Sequence, residues 1–138
     1  MEVSFLTYNT LFNNGFDNID KIISLNRPDI ICFQEAETRE ENLRKMTKYG
    51  YKLAGYENSF IRLGSIYGVA TFYDDKVFKT INAPPIMKKN YTISSLFYNL
   101  LSTLLGYGRQ KSFLLTNLIH LKTNKKITVC NTHLFVIG

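Results

Sequence analysis

The residues best suited to chemistry are Glu35, Asn9, Asn131 and His133, with Arg109 as a looser fifth candidate. Glu35 closes the run Asp29-Ile30-Ile31-Cys32-Phe33-Gln34-Glu35, whose four consecutive apolar residues read as a strand covered on both faces. A carboxylate at the end of such a strand is too costly to bury alone, so it must meet solvent, a base or a metal ion. Carboxylate oxygen suits Mg²⁺, which takes one or two protein carboxylates and completes its octahedron with water and substrate phosphate; an ordinary salt bridge is the other reading. Asn9 ends the first strand pattern, Val3-Ser4-Phe5-Leu6-Thr7-Tyr8-Asn9, where an amide can support such a carboxylate or simply start a turn. In a strand through Cys130-Asn131-Thr132-His133-Leu134, Asn131 and His133 project from one face and their neighbours from the other. That pair suits gripping phosphate, the imidazolium neutralising charge and the amide donating; a satisfied, partly buried histidine is the alternative. Arg109 carries a bidentate phosphate donor. His120, among leucines, reads as structural.

The elements that must position these groups follow from periodicity. Asp17 is expected to cap a helix with Ile19, Ile22 and Ile23 on one face, ended by Arg27-Pro28. Thr38-Arg39-Glu40-Glu41 has the capping-box form and predicts a helix through Leu43 and Met46 that stops near Gly50. Strand, helix, strand, helix within this span predicts an α/β (α+β) architecture. Tyr51 to Tyr56 is a weak strand, Tyr67 to Tyr73 a stronger one, and Asp74-Asp75 turns it into Lys76 to Ile81. Pro84-Pro85 and Lys88-Lys89 mark a loop, and residues 93–105 an apolar helix ended by Gly106-Tyr107-Gly108. Ser112 to Lys122 and Ile127 to Phe135 form a hairpin around Thr123-Asn124-Lys125-Lys126.

Bulk properties narrow the class. A chain of 138 residues, 45% hydrophobic and 20% charged, has the composition of a globular domain. It has no run of ~18 uninterrupted apolar residues that would span a bilayer. The opening Met1-Glu2-Val3-Ser4 lacks an export signal, so a cytoplasmic location is expected. Cys32 and Cys130 both lie in strand-like runs and are expected to be buried, reduced thiols. All eleven acids fall in residues 1–75, which carry a net −3, while residues 76–138 carry nine Lys/Arg and no acid. That asymmetry favours an anionic partner, or else an acidic region elsewhere in the protein.

Four stretches in this order resemble the endonuclease/exonuclease/phosphatase superfamily. They are Phe5 to Asn9, Arg27-Pro28-Asp29-Ile30-Ile31-Cys32-Phe33-Gln34-Glu35, Tyr67-Gly68-Val69-Ala70 and Asn131-Thr132-His133-Leu134. The resemblance implies a four-layer α/β/β/α sandwich, of which this chain supplies mainly the first mixed sheet with its flanking helices. It implies that Glu35 binds the divalent metal with help from Asn9, and that His133 and Asn131 serve at the scissile phosphate with Arg109 contacting phosphate. The cofactor implied is Mg²⁺, with Mn²⁺ as the substitute, and the reaction is in-line attack of water on a phosphoester.

The family's later Gly-Asp-x-Asn and closing Asp-His do not occur in these residues. The expectation is therefore a single domain over residues 1–138, the N-terminal portion of a longer domain, inactive alone and with one sheet face exposed. The expected substrate is a nucleic acid, a phospholipid or an inositol phosphate. Residues 93–105 are a candidate membrane contact, and the complete protein is expected to be a monomer. The competing expectation is a non-catalytic module that binds phosphate-bearing ligands.

Overall fold

The computed structural model describes residues 2–12, 18–81 and 112–133. Strand β1 (Phe5–Asn9) is followed by helix α1 (Ile19–Leu25), strand β2 (Ile30–Glu37) and the short helix α2 (Glu40–Arg44), which runs into a 3-10 turn at Lys45–Tyr49. Strands β3 (Tyr51–Arg62), β4 (Ser65–Asp74), β5 (Phe78–Thr80), β6 (Ser112–His120) and β7 (Lys126–His133) complete the described fold.

Two sheets result. The first is mixed, in the order β1-β2-β4-β3, with β1 parallel to β2 and β4 antiparallel to both of its neighbours. The second is antiparallel, in the order β5-β6-β7. β2 is buried at every position because both its faces are covered. Ile31 and Phe33 look toward the helical layer, meeting Ile19 and Ile23 of α1, Leu43 of α2 and Met46. Ile30 and Cys32 look the other way, against Phe78, Leu118 and Val129 of the second sheet. The described residues thus supply three layers, α/β/β. They include the start of a second sheet as well as the first sheet that was expected to dominate. The exposed sheet face is the outer one of the second sheet, where Phe113 and Leu115 are open to solvent.

Several local expectations change. Thr38 does not cap α2: the N-cap is Arg39, without a side-chain cap bond, and the Thr38 hydroxyl instead donates to the Asn58 side chain and the Ile66 carbonyl. The demand of a cross-strand acceptor in folded surroundings outweighs the local capping pattern. Gly50 ends the helical stretch at φ 81°, a left-handed stop that favours glycine. β3 continues well beyond Tyr56, because Leu63 (φ 49°) and Gly64 (φ 79°) form a tight turn that returns the chain into β4. Gly68 is required in β4, since a Cβ there would lie 1.8 Å from the Glu57 carbonyl oxygen. Cys32 is buried as expected, but Cys130 is exposed, because strand alternation places it on the outer face of β7; both are free thiols. Asp17, the loop around Pro84-Pro85, residues 93–105, Arg109 and Leu134 lie outside the described residues.

A candidate phosphate and metal site where the two sheets meet

A register break in β2 shapes the site. β2 pairs regularly with β4 through Phe33↔Ala70 and resumes at Ala36↔Gly68, leaving Gln34 and Glu35 in a bulge. By simple alternation Glu35 would share the helix-facing side of Ile31 and Phe33. Instead its backbone adopts φ 51°, and its side chain reaches the second sheet. There its Oε1 lies 3.4 Å from His133 Nε2 of β7, both side chains being largely buried. Its other oxygen, Oε2, is buried with no hydrogen-bond partner among the described residues. Bulges re-aim side chains in this way, and they favour sheet edges and active sites.

Asn131 is 2% exposed and faces inward on β7, as does His133. Its amide nitrogen, expected to donate to a phosphoryl oxygen, donates instead to the carbonyls of Phe33 (3.1 Å) and Ala70 (3.0 Å), with Thr71 Oγ1 at 3.3 Å. Its Oδ1 accepts from Gln34 Nε2 at 2.8 Å. The amide is therefore committed to the protein, and Asn131 acts as a clamp between sheets two residues from His133. Gln34 completes the clamp by donating also to Thr7 Oγ1, at 3.2 Å. A groove of about 360 Å³ beside this clamp is lined by Thr7, Cys32, Gln34 and Asn131. Burial pushes the Cys32 thiol up, opposed by its contact with Thr71, so it stays protonated and is no nucleophile at neutral pH.

Asn9 stands beside Gln34 in the parallel register. Its Oδ1 accepts the Leu11 N–H at 2.9 Å, a turn closed on its own loop rather than on Glu35. The structure thus brings Glu35, His133 and Asn131 together, leaves Asn9 adjacent in its own turn, and does not describe Arg109. The clamping role of Gln34 and the part played by Thr10 are not among the sequence expectations. Gln34 lies within the Gln-Glu motif that signalled Glu35, whereas Thr10 carries no sequence signal at all.

A metal ion suits this donor set. A buried, unpartnered carboxylate oxygen is an unmet demand for a cation, and one or two carboxylates are what Mg²⁺ takes from a protein. Among the described residues no three His, Cys, Asp or Glu side chains group together, so these residues do not form an all-protein cage.

A helix-backed mixed sheet facing an antiparallel one, with a bulged Glu and a strand-borne His at their junction, defines a sandwich of the α/β/β kind. The model of the endonuclease/exonuclease/phosphatase family matches residues 6–109, and the chain belongs to that family. Its fold is similar to that of the human Nocturnin catalytic domain with bound sulfate anion: TM-score 0.65, 15% identity, covering 96% of this chain and 49% of that one. It is also similar to ANGEL2, a 2′,3′-cyclic phosphatase, in complex with adenosine-2′,3′-vanadate, with TM-score 0.61, 18% identity and coverage of 96% and 41%. The Bacteroides thetaiotaomicron mannosyl-6-phosphatase Bt3783 matches with TM-score 0.55, 14% identity and coverage of 99% and 53%. The chain thus spans about half or less of the length of these structures. No curated protein matches it significantly in sequence.

Proposed function

We propose that this chain supplies the metal-holding and phosphate-facing part of a divalent-metal-dependent phosphoester hydrolase. The observation that carries the reading is the bulge that takes Glu35 out of the helix-facing core and sets it against His133 with a buried, unpartnered Oε2. Glu35 would hold Mg²⁺, or Mn²⁺ in its place, and the ion would supply Lewis-acid stabilisation of charge on the phosphoryl group. His133 would present Nε2 to a phosphoryl oxygen. Asn131 and Gln34 keep β7 at its distance from β2, which fixes the spacing between those two groups. Family membership and the similarity to two phosphatases, ANGEL2 and Bt3783, support hydrolysis of a phosphoester. The substrate class proposed is a phosphoester of a nucleic acid, a phospholipid or an inositol phosphate.

The test is hydrolysis of bis-p-nitrophenyl phosphate and of a single-stranded oligonucleotide by the full-length protein, with and without Mg²⁺. Glu35→Gln should lower the Mg²⁺-dependent rate by at least about a hundredfold, the scale on which electrostatic stabilisers act. An unchanged rate would sink the proposal. A second reading, a module that binds phosphate-bearing ligands without turnover, is favoured by one observation: among the described residues no three His, Cys, Asp or Glu side chains gather into a metal cluster. Binding of the oligonucleotide without Mg²⁺-dependent cleavage by the unmodified full-length protein would select it.

A further inference from the structure

Glu35 sits in a backbone conformation that a side chain resists, and something must hold it there. At φ 51° it lies in the left-handed region, and such residues persist only where their surroundings over-determine them. The bulge withdraws Gln34 and Glu35 from the β4 ladder, so their carbonyls need other donors. Thr10, 1% exposed, supplies them. Its N–H donates to the Gln34 carbonyl at 2.8 Å, continuing the β1–β2 register one residue beyond Asn9. Its hydroxyl lies 3.2 Å from the Gln34 oxygen and 3.0 Å from the Glu35 oxygen. In an extended strand successive carbonyls point to opposite sides. Two of them converge on one hydroxyl here because the inversion at Glu35 rotates the second into line with the first.

We propose that Thr10 is a positioning residue for the site, its hydroxyl locking the inverted backbone of Glu35 and thereby aiming the carboxylate at His133 and the metal position. The inference rests on the reading of Glu35 as the metal ligand. Without the hydroxyl, Glu35 relaxes toward ordinary strand geometry and its side chain turns toward the helix-facing side, which Ile31 and Phe33 occupy. The carboxylate then loses its fixed direction while the sheet itself remains.

Thr10→Val keeps the shape and removes the hydroxyl; Thr10→Ser keeps the hydroxyl. The probe is Mn²⁺ alone, its binding to the full chain followed by the loss of the free-ion electron paramagnetic resonance signal. Thr10→Val should weaken Mn²⁺ binding by about tenfold or more, the scale on which groups that orient metal ligands act, and Thr10→Ser should restore it. Glu35→Gln is the control for the underlying reading. If Glu35→Gln weakens Mn²⁺ binding while Thr10→Val binds as the unmodified chain does, the role of Thr10 is overturned and the metal reading stands. If Glu35→Gln itself binds Mn²⁺ unchanged, the metal reading falls and takes this inference with it. A stability cycle covers the case in which Thr10→Val folds poorly. Glu35→Gly removes the backbone strain, so Thr10→Val should destabilise the Glu35→Gly background less than the unmodified chain. Equal losses in the two backgrounds would make Thr10 a purely structural residue and overturn the proposal.

Discussion

Among the described residues two buried side-chain oxygens lack partners, Glu35 Oε2 and Thr116 Oγ1, and they call for opposite expectations. The Thr116 hydroxyl faces inward on β6 with nothing to bond, so its burial costs free energy and serves no visible end. Thr116→Val should leave stability unchanged or raise it by about 1 kcal/mol, read as a higher urea midpoint at constant slope. A loss of that size would reveal a bond that the hydroxyl makes. Glu35 differs because a cation can satisfy it. Adding Mg²⁺ should raise the thermal midpoint of the unmodified chain, by the equivalent of about 2.7 kcal/mol at one hundred times the dissociation constant. Glu35→Gln should abolish that shift in differential scanning fluorimetry; an equal shift in the variant would place the ion elsewhere. The position of Glu35 was legible in the sequence, since an acid closing an apolar strand stands out. Its direction was not. Alternation counted from Ile31 and Phe33 sends it to the wrong face, and the inversion that corrects this depends on Thr10, which lies in another strand's exit loop.

At the scale of elements, the strands were readable wherever apolar and β-branched runs were long, as in β2, β4, β6 and β7. The β3–β4 turn escaped because only Gly64 signals it, while Leu63 takes a positive φ under pressure from the pairing on either side. The capping-box reading failed for a related reason, as Thr38 found a partner across the sheet. Another tie of this kind joins the α1–β2 connection to β3. The Tyr51 hydroxyl donates to the Pro28 carbonyl at 2.6 Å, and Arg27 lies over the Tyr51 ring while pairing with Asp74 at 2.7 Å. Burial pushes the Tyr51 phenol up to about 12; nearby Arg27 opposes the rise and Asp74 and Asp29 add to it. Unfolded tyrosine titrates near 10, so above that pH the unfolded chain releases a proton that the folded chain keeps. The stabilisation is therefore complete below about pH 10 and is lost progressively toward pH 12, about 2–3 kcal/mol in all. Tyr51→Phe should be less stable than the unmodified chain at pH 8 by about 1 kcal/mol, for the lost hydrogen bond, yet show a shallower decline between pH 10 and 12. Parallel declines in urea titrations across that range would place the alkaline transition on other groups.

For the molecule as a whole, the charge asymmetry legible in the sequence lands in an unexpected place. Lys122, Lys125 and Lys126 sit at the β6–β7 turn, and Lys76 just before β5 and Lys79 within it lie beside that turn. That is the end of the second sheet opposite Ser112 and His133. Among the described residues, the lysines of the basic half therefore do not crowd the candidate site, and on the proposed reading phosphate would be met there by His133 and by a cation held on Glu35. Beside the Glu35–His133 contact, an amide clamp joins the two sheets at the site end. Asn131 reaches from β7 to the backbone of β2 and β4, and Gln34 reaches back to it. Removing that amide leaves buried carbonyls and the Gln34 side chain without partners, so Asn131→Ala should cost about 2–4 kcal/mol. The loss should not be uniform. The first sheet keeps its helical backing through Ile31, Phe33 and Phe72, while the second loses its amide anchor and keeps the apolar contacts of Phe78, Leu118 and Val129, with the Ser59–Ser112 and Glu35–His133 contacts. Amide hydrogen exchange should therefore quicken in β6 and β7 well before it quickens in β2 and β4. Because His133 rides on β7, the same variant should weaken phosphate binding more than it weakens Mn²⁺ binding, which depends on Glu35 in the better-supported sheet. Exchange that rises equally in both sheets, with both ligands weakened alike, would mean that Asn131 supports the fold generally and does not set the distance between the two halves of the site.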